Sequence, residues 1–174
     1  ATIGHIYKWA LEQGYISQDR LPVWSELKVG NIGTRTAFNI EDYQILYGYL
    51  KNYTKNISDE GEIYNRKMIR DFILVQSNTG LRFGECRFLK WHYVSVVKGE
   101  NKYPNVHIRV PAEISKVRKD RTSVGMRGDF FNRIKTYSNH THSDDYIFSD
   151  MKTGEPLGKK VLYNMWHLIM RESG

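Results

Sequence analysis

The sequence predicts an α+β fold in which helices predominate and a small three-stranded antiparallel sheet lies in the middle of the chain. Apolar residues recur at helical spacing in four separate segments before residue 91, and the spacing changes toward two between residues 93 and 125. Helical spacing returns from residue 130 onward. Helices, then strands, then helices again are typical of α+β domains with the sheet at one side.

Four helices are predicted in the first half of the chain. The first covers Thr2–Gln13, and Asn39 is placed to cap the second. The stripe of the second helix that is predicted to face the core consists of Tyr43, Leu46, Tyr47 and Leu50. A polar loop over 52–62 leads into a longer third helix that stops at Gly80. The buried face of the third helix carries Met68, Ile69, Phe72, Ile73 and Val75. A short fourth helix runs to about Trp91.

The second half begins with the sheet. Residues 93–97 and 122–125 are rich in β-formers, and 106–110 alternate apolar with polar side chains. A helix is predicted from Phe130 to Tyr137, and a final helix over Lys159–Arg171. Between these two helices, residues 146–148 are expected to form a short extended piece.

Residues 15–36 hold Pro22, Gly30 and Gly33 without a sustained period, which predicts a connection between two units. We place the domain boundary within 25–36, so that residues 1–30 end one domain with its linker and 31–174 belong to the next. The chain begins without Met and stops just after an amphipathic stretch, and we therefore expect a piece of a longer protein.

Composition excludes several classes of protein. The single cysteine, Cys86, excludes an internal disulfide framework and multi-cysteine zinc patterns. The longest apolar runs are only a few residues, so we predict no membrane partner and a cytoplasmic location. The formal charge of +7 favours an anionic partner.

Charge is concentrated between Arg109 and Lys135, where eight positive and three negative side chains hold net +5 of the total. The densest part, Ser115-Lys116-Val117-Arg118-Lys119-Asp120-Arg121, lies at a turn between two predicted strands. Two interpretations fit this turn. It is a solvated tip, or its long cations reach the phosphates of a nucleic acid.

A second group of residues surrounds Arg82, in Asn78-Thr79-Gly80-Leu81-Arg82-Phe83-Gly84-Glu85 followed by Leu89 and Trp91. Gly80 permits a sharp turn, which places Arg82 at the start of the next helix, where its guanidinium and nearby backbone amides converge on an anion. Glu85 follows at a spacing that lets it orient Arg82. The alternative is an ordinary ion pair.

The Thr79–Glu85 segment with Leu89 and Trp91 resembles the first catalytic box of the tyrosine recombinases, the phage integrase family, with the pattern Thr-Gly-Leu-Arg-x-x-Glu then Leu-x-Trp. The order along the chain is similar too, because a three-stranded sheet with a Lys-bearing hairpin follows the box. Residues 6–16 resemble the last helix of the family's core-binding domain. The resemblance implies the DNA breaking-rejoining enzyme fold, truncated in this chain.

The resemblance implies site-specific DNA recombination or integration, in which a tyrosine attacks a phosphodiester to give a 3′-phosphotyrosyl link. Arg82 matches the first catalytic arginine and Lys116 the hairpin lysine that protonates the leaving 5′-oxygen, with Lys119 as the second choice. Glu85 supports the box, and Arg118, Lys119 and Arg121 are predicted to contact DNA. No metal or cofactor is implied. The expected partner is double-stranded DNA, bound by a full-length homotetramer encoded by a bacterium or phage.

Two departures from the family pattern stand out. The family often has Asp two residues after the Trp of the box, whereas His92 follows Trp91 here and Asp is absent. No His-x-x-Arg box occurs in the 174 residues, and none of the 12 tyrosines occupies the position of the nucleophile. We therefore expect this chain to be unable to cleave DNA. The main alternative function is a noncatalytic DNA-binding module that uses the hairpin 115–121.

The remaining candidate sites are weaker. A metal site at His140, His142, Asp144 and Asp145 competes with an ordinary polar loop, which explains the same residues. An RNA-binding domain is a third functional alternative, but the sequence has no recognisable RNA-binding motif.

Overall fold

The computed structural model describes residues 3–22, 37–100 and 102–174. Its contacts divide the chain into two units, Ala1–Ala37 and Phe38–Gly174. The boundary predicted within 25–36 lies outside the described residues.

The first unit contains helix α1, Ile3–Glu12, followed by a 3₁₀ turn over Gln18–Arg20. Gly14 adopts a φ of +71°, and the amide of Tyr15 donates to the carbonyl of Ala10, which closes the end of α1. The predicted helix is confirmed, but none of its residues is buried within the described chain.

The second unit begins with two helices, α2 at Ile40–Asn52 and α3 at Glu60–Thr79. Asn39 caps α2 as predicted, because its side chain accepts from the Asp42 amide at 2.7 Å. The short helix α4 follows at Phe83–Arg87, and a 3₁₀ turn at Trp91–Tyr93 replaces the predicted continuation to Trp91.

The sheet has the predicted three antiparallel strands in the order β1-β2-β3, with β1 at Val94–Val97, β2 at Asn105–Val110 and β3 at Arg121–Gly125. Ile108 in the central strand pairs with Val94 on one side and Ser123 on the other. Val106, Ile108 and Val110 of β2 are buried, whereas His107 and Arg109 between them are exposed. One face of the sheet therefore covers the core and the other faces solvent.

Two helices complete the unit, α5 at Asp129–Lys135 and α6 at Lys159–Ser173. Between them, Ile147 and Phe148 are fully buried, and Tyr146 forms an isolated bridge with Lys90, in agreement with the predicted short extended piece. The α+β class with a small antiparallel sheet is confirmed.

Helix α3 forms the centre of the core. It packs against α4, α5 and β3, and α2 packs against α6. The predicted buried face of α3 is confirmed at four positions, Met68, Ile69, Phe72 and Val75, whereas Ile73 is only partly buried. Among the described helices, none has the length and apolar character that a membrane span requires.

The predicted stripe of α2 is wrong at its two tyrosines. Leu46 and Leu50 are buried, but Tyr43 and Tyr47 keep 36% and 37% of their surface exposed. Tyr43 lines an open groove of about 870 Å³ that is walled by residues of α2, α3 and α6. A tyrosine ring can cover apolar surface while its hydroxyl stays in water, so the helical period alone does not show how deeply it is buried.

Candidate nucleic-acid interface

Arg82 is placed by a sharp turn at the end of α3. Gly80 has a φ of +64°, and its amide donates to the Gln76 carbonyl at 3.0 Å. The left-handed conformation ends the helix without a side-chain clash, because glycine has no Cβ. The chain then turns at Leu81, which is buried, and Arg82 becomes the N-cap residue of α4.

Glu85 holds Arg82 in two ways. The Arg82 backbone amide donates to Glu85 Oε2 at 2.9 Å, and Arg82 Nη1 donates to Glu85 Oε1 at 3.1 Å. The Glu85 side chain is only 1% exposed, while that of Arg82 is 49% exposed. A buried carboxylate therefore holds the guanidinium of a side chain that is about half exposed to solvent.

A second arginine reaches the same carboxylate from the sheet. Nη2 of Arg121, the first residue of β3, lies 2.5 Å from Glu85 Oε2. The Nε atom of Arg121 is enclosed and has no hydrogen-bond partner among the described residues. Sequence reasoning placed Arg121 among the DNA contacts. In the structure its recorded partner is Glu85.

Two positive groups and one backbone amide thus surround the Glu85 carboxylate. Burial alone would raise the pKa of Glu85, but hydrogen bonds from the Arg82 backbone and from the guanidinium groups of Arg121 and Arg82 outweigh that effect and lower the pKa below its ordinary value. The carboxylate stays ionised and keeps both arginines in place.

The guanidinium of Arg82 is suited to bind an anion. It carries five N–H donors in a planar fork, and Glu85 is its recorded acceptor among the described residues. Planar donors of this kind match the oxygens of a phosphate. Half of the side chain is open to an incoming ligand.

The segment 111–120, which we call the basic loop, joins β2 to β3. Its base is closed by Asp120, whose Oδ1 accepts from the Ala112 amide at 2.7 Å and whose Oδ2 lies 3.3 Å from Arg109 Nη2. Ser115 is buried, and its hydroxyl has no hydrogen-bond partner in the described part of the chain.

The cations of the basic loop are exposed. Lys116, Arg118 and Lys119 all lie on the surface, and their side chains make no hydrogen bond or ion pair with the described residues. Arg118 adopts a φ of +51°, which is uncommon for a residue with a side chain. The structure records no contact between Arg82 and either Lys116 or Lys119, so the choice between these lysines stays a prediction.

Sequence reasoning missed the residues that anchor the site to the core. Ser123 of β3 donates to the Thr79 carbonyl at 2.6 Å, and Asn78 Oδ1 accepts from the Arg127 amide at 3.1 Å. Both bonds join the end of α3 to β3 or the residues after it. Asn78 and Thr79 are part of the motif around Arg82, but their partners lie more than 40 positions away in the sequence, so the motif gave no signal for them.

A further anchor is Asp71, which is fully buried in α3. It accepts from Arg70 at 2.9 Å, from the Tyr137 hydroxyl at 2.7 Å, and from Arg133. One signal could have found it, because Asp71 lies on the same helix face as the apolar Met68, three residues before it, and Val75, four residues after it. A carboxylate in that position requires buried partners.

The weaker candidates have structural roles. His140 Nε2 lies 3.3 Å from the Met151 carbonyl, while Asp144 pairs with His92 at 3.1 Å and Asp145 accepts from the His142 amide. No group of three metal-ligating side chains forms among the residues that the structure describes. Cys86 is fully buried, which raises the pKa of its thiol.

Comparisons with known proteins give no relative. No protein-family model, curated protein or solved structure matches the chain.

Proposed function

We propose that this chain is a DNA-binding part of a tyrosine recombinase, whose full-length form recombines or integrates DNA at specific sites through a 3′-phosphotyrosyl link. Arg82 contacts the nonbridging oxygens of the target phosphate and stabilises the charge that builds up there. This chain binds double-stranded DNA and does not cleave it, because its 174 residues contain no His-x-x-Arg box and no tyrosine in the position of the nucleophile.

The observation that carries this proposal is the Arg82–Glu85 arrangement. A half-exposed guanidinium is fixed by a carboxylate that is 1% exposed, at the start of a helix and beside a sharp glycine turn. Here the recorded hydrogen bonds leave most of the fork free, which supports recognition of an external anion.

The basic loop supplies the second part of the proposed interface. Its three exposed cations, Lys116, Arg118 and Lys119, lie just before β3. The first residue of β3, Arg121, shares the Glu85 carboxylate with Arg82. Long cationic side chains that bond to none of the described residues are available for backbone phosphates of DNA. In the proposed reaction Lys116 protonates the leaving 5′-oxygen, with Lys119 as the alternative donor.

The second candidate function is a noncatalytic DNA-binding module that uses the same basic loop. The exposed cations of the loop favour it equally, since phosphate contacts need no catalysis. If the gene continues past Gly174, a His-x-x-Arg box and a later tyrosine encoded there would support the recombinase, and a continuation without them would support the binder.

The interface is tested by measuring affinity for a labelled 20-base-pair duplex as a function of salt concentration. The variant with Lys116→Ala, Arg118→Ala and Lys119→Ala should flatten the slope of log K against log salt by about 2.7, at about 0.9 for each lost phosphate contact. Arg82→Ala should flatten it by about 0.9. A slope that the loop variant leaves unchanged would contradict the proposal.

A control variant removes the same charge from another place. Lys51, Lys55 and Lys152 are exposed. These lysines lie near the start of α3, because they are close in sequence to Tyr53 and Ser149, whose carbonyls accept hydrogen bonds from the first third of that helix. The basic loop leads into β3, which is bonded to the opposite end of α3. Their triple alanine variant should keep the wild-type slope.

Incubation of the chain with DNA should give no covalent complex on a denaturing gel.

A further inference from the structure

We infer that Arg121 is a positioning residue, which acts on the Arg82 guanidinium through Glu85 and joins the base of the basic loop to it. The inference rests on the proposed phosphate-binding role of Arg82. It assigns Arg121 a task different from a direct contact with DNA.

The shared carboxylate is the first argument. Glu85 Oε2 accepts from the Arg82 amide at 2.9 Å and from Arg121 Nη2 at 2.5 Å, and Oε1 accepts from Arg82 Nη1 at 3.1 Å. Each oxygen therefore has a defined partner. The Arg121 contact fixes the rotation of the carboxylate, and this rotation sets the direction in which Oε1 holds the Arg82 fork.

The burial of the two arginines is the second argument. The Arg82 side chain is 49% exposed and that of Arg121 is 32% exposed. Nη2 of Arg121 is occupied by Glu85, and Nε is enclosed by protein. Arg121 thus offers fewer donors to a phosphate than Arg82, whose side chain is more exposed and whose guanidinium has one recorded bond among the described residues.

The basic loop provides the third argument. Asp120 closes the base of the loop through Ala112 and Arg109, and Arg121 follows it directly. When the loop shifts as its cations contact a phosphate, Arg121 shifts with it. Arg121 in turn holds the Glu85 carboxylate. The path from the loop to Arg82 runs through two hydrogen-bonded contacts, Arg121 to Glu85 and Glu85 to Arg82.

A double-mutant cycle separates positioning from direct contact. Arg82→Ala and Arg121→Ala should each weaken binding of the labelled duplex, by about tenfold for Arg82→Ala because a charged hydrogen bond is lost. In the Arg82→Ala background, Arg121→Ala should change the affinity by less than about twofold, and the salt slope of the double variant should equal that of Arg82→Ala. Additive losses, with the slope flattened by about 1.8, would overturn the inference.

Two further measurements complement the cycle. The first uses a conservative variant to separate the role of Arg121 from loss of folding, and the second is made without DNA. Arg121→Lys retains a charge beside Glu85, and its affinity for the duplex should stay within about threefold of wild type. If Arg121→Lys lost as much affinity as Arg121→Ala, the inference would be contradicted. Without DNA, the ¹⁵N heteronuclear NOE of Arg82 Nε should fall in Arg121→Ala toward that of the exposed Arg118. An unchanged NOE overturns the inference, while a chain that binds no duplex overturns the proposed function alone.

Discussion

The Ser123 hydroxyl donates a hydrogen bond of 2.6 Å to the Thr79 carbonyl, so the third strand is fixed to the last residue of helix α3. Both residues are buried. The turn at Gly80 and the guanidinium of Arg82 follow directly. The sheet therefore holds the backbone segment from which the candidate site begins.

Removal of this hydroxyl should cost stability. Ser123→Ala leaves the buried Thr79 carbonyl without its donor, and we expect the free energy of unfolding to fall by about 1 to 3 kcal/mol. Urea denaturation followed by circular dichroism measures the change. Ser95→Ala makes the same substitution at an exposed position of β1 and should change stability by less than about 0.5 kcal/mol. Equal effects of the two variants would show that the bond to Thr79 contributes little.

The left-handed turn before Arg82 gives a second prediction. Gly80 has a φ of +64°, so Gly80→Ala should lower the free energy of unfolding by about 1 to 2 kcal/mol, since a Cβ is disfavoured there. Gly84 lies in α4 without a positive φ, and a Cβ added to it would meet no atom within 4 Å. Gly84→Ala should be neutral or stabilising in the same urea titration. A neutral Gly80→Ala would mean that the turn relaxes at no cost.

The elements that the sequence predicts well are those with a local signal. The alternation in residues 106–110 defines a strand whose apolar side is buried, and Gly80 marks the end of α3 at the correct residue. Both depend on neighbours along the chain. The spacing of Arg82 and Glu85 likewise indicated their contact, because it lies within one helical turn.

Contacts between distant residues could not be predicted in the same way. Arg121 meets Glu85 across 36 positions and Arg133 meets Asp71 across 62, and each pairing depends on how the sheet or α5 packs on α3. The local sequence of the basic segment is the same whether a given charged residue faces solvent or a buried carboxylate. Only the fold distinguishes Arg121 from the exposed Lys119.

The phenol of Tyr137 should make the protein sensitive to alkali. Burial, together with the charge of Asp71 and the hydrogen bond to it, raises the pKa of Tyr137, and burial with the Glu172 contact raises that of Tyr49 to about 12. Unfolded tyrosine ionises near pH 10. Below that pH the contributions of both phenols are complete, and above it they decrease because only the unfolded chain loses these protons.

Urea titrations between pH 8 and pH 11 test this expectation. The free energy of unfolding should decline above about pH 10, and Tyr137→Phe should decline less steeply although it is less stable at pH 8 by about 1 kcal/mol. Tyr163→Phe changes an exposed tyrosine and should keep the wild-type decline. A Tyr137→Phe curve parallel to that of the wild type would rule out the buried phenol as the cause.

Glu85 should confer the opposite dependence in acid. Its pKa is lowered from an ordinary value near 4.5, so its contribution to stability is complete above that pH and decreases as the pH falls through the lowered value. Glu85→Gln removes the carboxylate from two arginines and should lower the free energy of unfolding at pH 7 by about 3 kcal/mol. Below about pH 4.5 its curve should be flatter than that of the wild type, since the group that gains a proton is gone. Urea titrations from pH 7 to pH 3 measure both effects, with Glu155→Gln as a control at an exposed carboxylate. If Glu85→Gln lost as much stability in acid as the wild type, the ionised Glu85 carboxylate would not be the group that holds the two arginines.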